Sequence, residues 1–443
     1  MTTDLQASVK HERLHALDAL RAFAMILGVW LHMGMPYLEG MPKGFWPADE
    51  ENSVFVSMTI LAIHSWRMEL FFMLSGFFTA MLVLRRGVRP VAIHRTKRIV
   101  IPFLISLPTI GTLCILAWGV GFSDMFPGSQ QMWIKDWLRS SWGMDTDFIP
   151  TKFGRLWHMW FLYTLIYLIA IGLVGHWLLS KPLAPFNKAL SRFMGWSVRS
   201  WWGMFVLAIP LGLVQILIGT PNGPGPAESL IPDIRSLEYY ALPFFAGWYL
   251  YATRDAINVL AKRCWWPLTI GLAVAFPLHV GSLTNTMENM TDLPEKITGS
   301  MVLTCMSRGL LTASLCLGIT GLCTQLLSSP SARGVKLIRY FSDSAYLVYL
   351  VHMPLVAFFS IWIFNRLDWP ATIEVMLGSI TAMVLLMGSY ALFVRYTPIG
   401  TLLNGKRTRT RDGLTSASDP AAAEASAHQA NPQPHEEAPP RSS

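Results

Sequence analysis

The sequence predicts an all-α fold, a polytopic membrane helix bundle of about ten transmembrane helices, and three observations carry that expectation. Of 443 residues, 52% belong to the AVILMFWYC set and only 14% are charged, against about 25% charged in soluble domains. Apolar runs recur from residue 17 to 394 with no polar domain between them, as they must if each is to cross a hydrocarbon core ~30 Å thick. Lys and Arg gather in alternate short connections between the runs, the asymmetry that orients helices across a bilayer. A soluble globular enzyme is excluded on these grounds. The net charge of +8 is read as topology and attraction to anionic headgroups, with membrane lipids and not nucleic acid as the surroundings.

Taken in order, residues 1–16 form a polar N-terminal segment, and the first apolar run lacks an A-x-A-like end, so it is expected to stay in the membrane. Spans are expected at 17–38, 67–84, 99–121, 156–179, 201–219, 237–253, 265–283, 298–325, 341–365 and 372–394. The stretch 53–84 would reach ~48 Å as one helix and must break or leave the membrane, with 53–66 as an interfacial helix. The membrane domain thus covers 17–394, and 395–443 is expected to be a disordered tail, since from Asn404 onward there is no Phe, Trp or Tyr and too little apolar surface for a core. One alternate set of connections holds eighteen Lys and Arg and the other eight, which puts both termini on the cytoplasmic side. Two outward connections, 39–66 and 122–155, are long, and Trp133, Trp137 and Trp142 in the second could cover an outward-facing site. Cys114, Cys264, Cys305, Cys316 and Cys323 lie in or beside apolar runs, so neither a disulfide framework nor a zinc site is expected.

Ionisable groups within the spans are the candidates for function, because each costs at least ~2.5–3.5 kcal/mol at the bilayer centre unless paired or wet. Arg21 and His32 lie eleven residues apart, close to three whole turns and ~16 Å of rise, so they share a helix face. Arg67 and Glu69 open the second span, and His158, Arg308 and His352 fall in the fourth, eighth and ninth. Blander readings stand beside these: a helix-packing histidine at His158, His64 or His279, an interfacial Arg67, a close helix crossing at Ser75-Gly76. The soluble hydrolase, metalloprotease, P-loop and CxxC redox motifs are all absent.

Leu17-Asp18-Ala19-Leu20-Arg21-Ala22 with His32 resembles the opening signature of the acyltransferase family 3 membrane enzymes. Phe71-Phe72-Met73-Leu74-Ser75-Gly76-Phe77-Phe78 is similar to the family's FF-x-x-SGF segment, and Arg95-Thr96-Lys97-Arg98 followed by Pro102 to its R-x-x-R block. His158 before Trp160-Phe161-Leu162 resembles H-L-W-F-L, and Tyr346 to His352 with Pro354 resembles Y-x-x-H-x-P. The motifs stand in family order over residues 14 to 360. His64-Ser65-Trp66-Arg67-Met68 is further similar to a narrower branch whose members are taken to succinylate periplasmic glucans.

The resemblance implies transfer of an acyl group from cytoplasmic acyl-CoA to a carbohydrate hydroxyl outside, by a multi-pass enzyme of the bacterial inner membrane. It implies His32 as the base, with Arg21, Glu69 and His352 in the catalytic set. Arg95 and Arg98 would bind CoA phosphates, with Ser75 and His158 also at the substrate. No bound cofactor is implied; succinyl-CoA or acetyl-CoA is the donor substrate. A succinyl carboxylate needs a cation in a site of low dielectric, and Arg67 or Arg308 could supply it. The rivals are O-acetylation of lipopolysaccharide or another surface glycan, and a transporter of acidic small molecules, which would use intramembrane charges without forming esters.

Overall fold

Backbone groups in lipid must bond within their own segment, and in the computed structural model of the chain every regular element among the described residues is helical. The structure describes residues 2–39, 46, 51–125, 156–226, 230–288, 297–328 and 330–404. Of the tail 395–443, expected to be disordered, Pro398–Asn404 is helical; the part beyond Asn404 and the connection bearing Trp133, Trp137 and Trp142 lie outside the described residues. So does most of 40–50.

The helices are α1 (Thr2–Gly34), α2 (Val54–His64), α3 (Arg67–Arg86), α4 (Val88–Arg95), α5 (Ile101–Met125), α6 (Trp160–Leu179), α7 (Ala184–Arg199) and α8 (Gly203–Ile218). They continue as α9 (Ile234–Ala252), α10 (Ala256–Arg263), α11 (Trp265–Thr269), α12 (Phe276–Glu288), α13 (Gly299–Leu326), α14 (Ala332–Phe358), α15 (Ala371–Ser389) and α16 (Pro398–Asn404). Single π turns join α4 to α5 and α11 to α12. Two compact units result, Met1–Leu386 and Met387–Ser443. Every candidate residue lies in the first; the described part of the second is the end of α15, the π turn Tyr390–Val394 and α16.

A helix stands at each of the ten expected places, but only eight stretches among the described residues are long and apolar enough to cross a membrane, nine if α7 and α8 count as one span bent by 119°. The difference from ten has a physical reason. Helix α8 has 16 residues, roughly 24 Å, and follows a sharp bend. Helix α9 carries Arg235 and Glu238 near its start and four tyrosines, which lower its apolar character. The bend also creates an amphipathic helix, α7, where only a basic connection was expected.

The long stretch 53–84 does break. Helix α2 ends at His64 and α3 starts at Arg67, and the turn between leaves carbonyls that need donors. Helix α13 supplies one and braces the other: Thr312 Oγ1 donates to Ser65 O at 2.6 Å, and Cys316 Sγ adds to Trp66 O, at 3.5 Å, a second donor beside Leu70 N–H at 2.9 Å. Helix α3 then packs along α9, where a Cβ at Gly76 would collide with Phe244 O and one at Gly247 with Met73 O. Only glycine at both positions lets the two backbones touch. Gly76 is thus a close crossing, while α1 lies against α14 and α13 against α8. These pairings bring the starts of α3 and α6, the last turn of α1 and the C-terminal part of α14 together.

Candidate active site

Helix α14 supplies the best-defined part of the site. The His352 ring is 3% exposed, and its Nδ1 lies 2.9 Å from Val348 O and 2.8 Å from Tyr349 O. Carbonyl oxygens only accept, so Nδ1 carries the hydrogen and Nε2 of the neutral ring keeps its lone pair. The helix itself therefore presets His352 as an Nε2 hydrogen-bond acceptor. His158 is fixed in the opposite sense, its Nε2 donating to Leu350 O at 3.0 Å, so its lone pair sits on Nδ1, which is buried without a partner. Tyr349 OH anchors this segment by donating to His158 O at 2.7 Å. Trp157, just before it, is the one described non-glycine residue with positive φ, at 48°, a local strain of order 1–3 kcal/mol held by the surrounding packing.

His32 joins these two from α1. Its ring centroid lies 5.2 Å from that of His352, which lies 5.0 Å from that of His158. His32 alone of the three retains partial exposure, although its Nδ1 is enclosed and has no partner. Its outer side stacks on Trp46 at 6.4 Å with planes 13° apart, and Trp46 meets Trp118, which meets Trp157. Sequence reasoning does not find this tryptophan wall, because Trp46 sits in a segment with no periodicity to place it.

Arg67 lies against α1 one turn from His32, since a Cβ at Gly28 would collide with its Nη1 and residues four apart share a helix face. It is 8% exposed, and its charge acts on both His32 and His352. Its Nη2 touches only the weakly accepting Met68 sulfur at 3.8 Å, its Nε has no partner, and among the described residues no carboxylate pairs with it. Glu69 and Arg308, by contrast, meet each other. Arg308 Nη2 lies 3.2 Å from Glu69 Oε1, both side chains 1% exposed, with Tyr239 OH donating to the same oxygen at 2.8 Å and Asn222 Oδ1 accepting from Arg308 at 3.4 Å. A substrate carboxylate would have to displace Glu69 to reach Arg308.

This pair ties α3 to α13, and its removal should report on stability. Arg308→Met alone leaves a buried carboxylate without its cation and is expected to destabilise by ~3–5 kcal/mol, whereas joining it to Glu69→Met should recover most of that loss. Thermal unfolding of the purified variants in detergent checks this; a double variant as unstable as the sum of the singles would refute it.

The remaining residues form a second station. Arg21 is half-exposed, paired with Asp18 at 3.5 Å, and stands 5.6 Å over the Phe78 ring. Arg95 donates to Thr79 Oγ1 at 3.0 Å, and Thr79 in turn donates to Ser75 O at 2.7 Å. The charges of Arg21 and Arg98 both act on Arg95, and those of Asp343 and Arg339 act with Arg21 on Asp18, so the station is a mixed but mainly basic cluster. Arg95 also lines a cavity of about 350 Å³ with Val88, Ile99, Leu173 and Trp177. Arg21 and His32 lie on α1 ~16 Å apart, the separation expected from their spacing. Ser75 is half-buried, and through its carbonyl and Thr79 it is linked to Arg95, so the structure groups it with the arginines and not with the three histidines.

The acyltransferase domain profile matches residues 14–390 of the chain, a range that holds both the histidine cluster and the arginine station. Glucans biosynthesis protein C from Escherichia coli strains SMS-3-5 / SECEC, K12 / DH10B and K12 is 24% identical over 416 residues, which span 91% of this chain and 97% of each relative. No solved structure matches the chain.

Proposed function

Given that the chain belongs to the acyltransferase domain family, matched from residue 14 to 390, we propose that this multi-pass membrane acyltransferase succinylates a periplasmic glucan, using succinyl-CoA from the cytoplasm. The observation that carries the succinyl assignment is Arg67, a buried guanidinium one helical turn from His32 that forms no ion pair with any carboxylate among the described residues, the nearby Glu69 being taken up by Arg308. An unpaired buried cation is costly, and a donor with a free carboxylate supplies the missing charge. The glucan acceptor is supported by the name of the relatives, and the inner-membrane location with cytoplasmic termini by the Lys and Arg distribution.

In this reading the arginines Arg21, Arg95 and Arg98 bind the CoA phosphates on the cytoplasmic side, since guanidinium forks match phosphate oxygens bidentately. The acyl end lies ~16 Å further along α1, with its carboxylate on Arg67 and its thioester at the histidines. His32 takes the proton as the glucan hydroxyl attacks the carbonyl carbon. The new C–O bond forms, the C–S bond breaks, and the thiolate of CoA receives the proton through His32 and Nε2 of His352. Glu69 and Arg308 hold α3 so that Arg67 stays in place.

The test is mass spectrometry of periplasmic glucans and surface polysaccharides from cells with and without the gene. Loss of succinyl esters from the glucan is expected. Loss of acetyl esters, or of esters on another glycan alone, would overturn the donor or the acceptor, and no change in any ester would overturn the reading as a whole.

A further inference from the structure

A proline inside a helix lacks the N–H that would bond to the carbonyl four residues earlier, and its ring pushes that carbonyl off the helix axis. In α14 the proline is Pro354 and the carbonyl is that of Leu350. A buried carbonyl released in this way needs another donor. It has one: Nε2 of His158, in the 3-10 turn just before α6, reaches it at 3.0 Å. One turn of α14 therefore carries three linked features, with Pro354 opening the carbonyl, His158 closing it, and His352 between them aiming its base nitrogen.

We infer that Pro354 and His158 form a positioning lock for His352, with His158 acting through its Nε2 hydrogen bond to Leu350 and taking no proton itself. The hydrogen bond determines the rotation of the α14 turn, because the tilted carbonyl belongs to the same turn whose Val348 and Tyr349 carbonyls hold Nδ1 of His352. Tyr349 closes the lock from the other side by bonding His158 O. The donor nitrogen of His158 is occupied and its free Nδ1 is enclosed, as befits a brace. The inference rests on the reading of His352 as part of the proton-accepting pair.

Three variants of the full-length chain, purified in detergent and assayed with succinyl-CoA and a glucan oligosaccharide, test it. His158→Leu removes the donor and should lower kcat roughly 10- to 100-fold, the range for loss of an orienting partner of a functional histidine, with KM for the donor little changed. His158→Gln keeps an amide N–H near the same place and should recover at least about a third of the wild-type kcat, which a proton-transferring ring could not do. Pro354→Ala should lower kcat in the wild-type background, because the backbone N–H it restores draws the Leu350 carbonyl back to the axis. In the His158→Leu background it should cause no further loss and should raise the thermal midpoint, since it satisfies a carbonyl left bare. A Gln variant as slow as the Leu variant but equally stable to wild type would make His158 a proton carrier and overturn the lock. Additive midpoints for the 158 and 354 changes, with His352→Ala inactive, would overturn the lock alone. Full transfer by His352→Ala would overturn the reading beneath it.

Discussion

His32→Ala and His352→Ala are each expected to lower acyl transfer by roughly 100- to 10,000-fold, the contribution of a positioned acid or base, without changing the amount of protein inserted. The expectation rests on geometry: His32 is the one partly exposed residue of the cluster, and His352, 5.2 Å away, is held as an Nε2 acceptor by two backbone carbonyls. Because the two pass one proton, the double variant should be little worse than either single one, the non-additivity of groups acting as a unit. Ester content of the acceptor in cells making only the variant protein is the measurement. Near-normal esters with His32→Ala would reduce that residue to packing against Trp46, and fully additive losses would separate the two histidines into independent roles.

The parts of this molecule that lipid constrains were legible in the sequence, and the parts that loops and paired charges decide were not. The helical segments could be placed because a crossing segment must be apolar and internally bonded, although eight or nine of the ten expected spans, not all ten, are long and apolar enough to cross, and length alone required 53–84 to break or leave the membrane. The 119° bend between α7 and α8 left no length signal, since each piece is short. Arg21, His32, His158 and His352 stood out as polar residues in apolar runs, yet their division into a histidine cluster and an arginine station depends on which helices touch. The Glu69–Arg308 pair joins residues 239 positions apart, and nothing in either neighbourhood announces the other. Pro354 did carry a readable signal: a proline four residues after Leu350 in a helical run frees that carbonyl. Its partner, on another helix, did not. Knowing that Arg308 is already neutralised turns attention to the other cation.

Arg67→Met should change which donor is used. Methionine keeps much of the length and apolar bulk but removes the cation, so the effect should fall on a donor that brings a carboxylate and spare one that does not. Succinyl transfer is expected to fall by the ~2–5 kcal/mol that follows when one partner of a buried charge pair is lost, while acetyl transfer persists or rises. Arg67→Lys should be intermediate, since an ammonium keeps the charge but loses the planar fork that grips both carboxylate oxygens. The measurement is the ratio of succinylated to acetylated product from the two donors in competition, in membranes carrying wild type or variant. Stability should suffer little, because no carboxylate within the described protein pairs with Arg67, unlike Arg308, whose loss strands Glu69. An unchanged ratio with both activities lowered would mean that Arg67 stabilises the oxyanion common to all acyl donors. An unchanged ratio with both activities intact would remove the cation from the chemistry and, with it, the structural support for a succinyl donor.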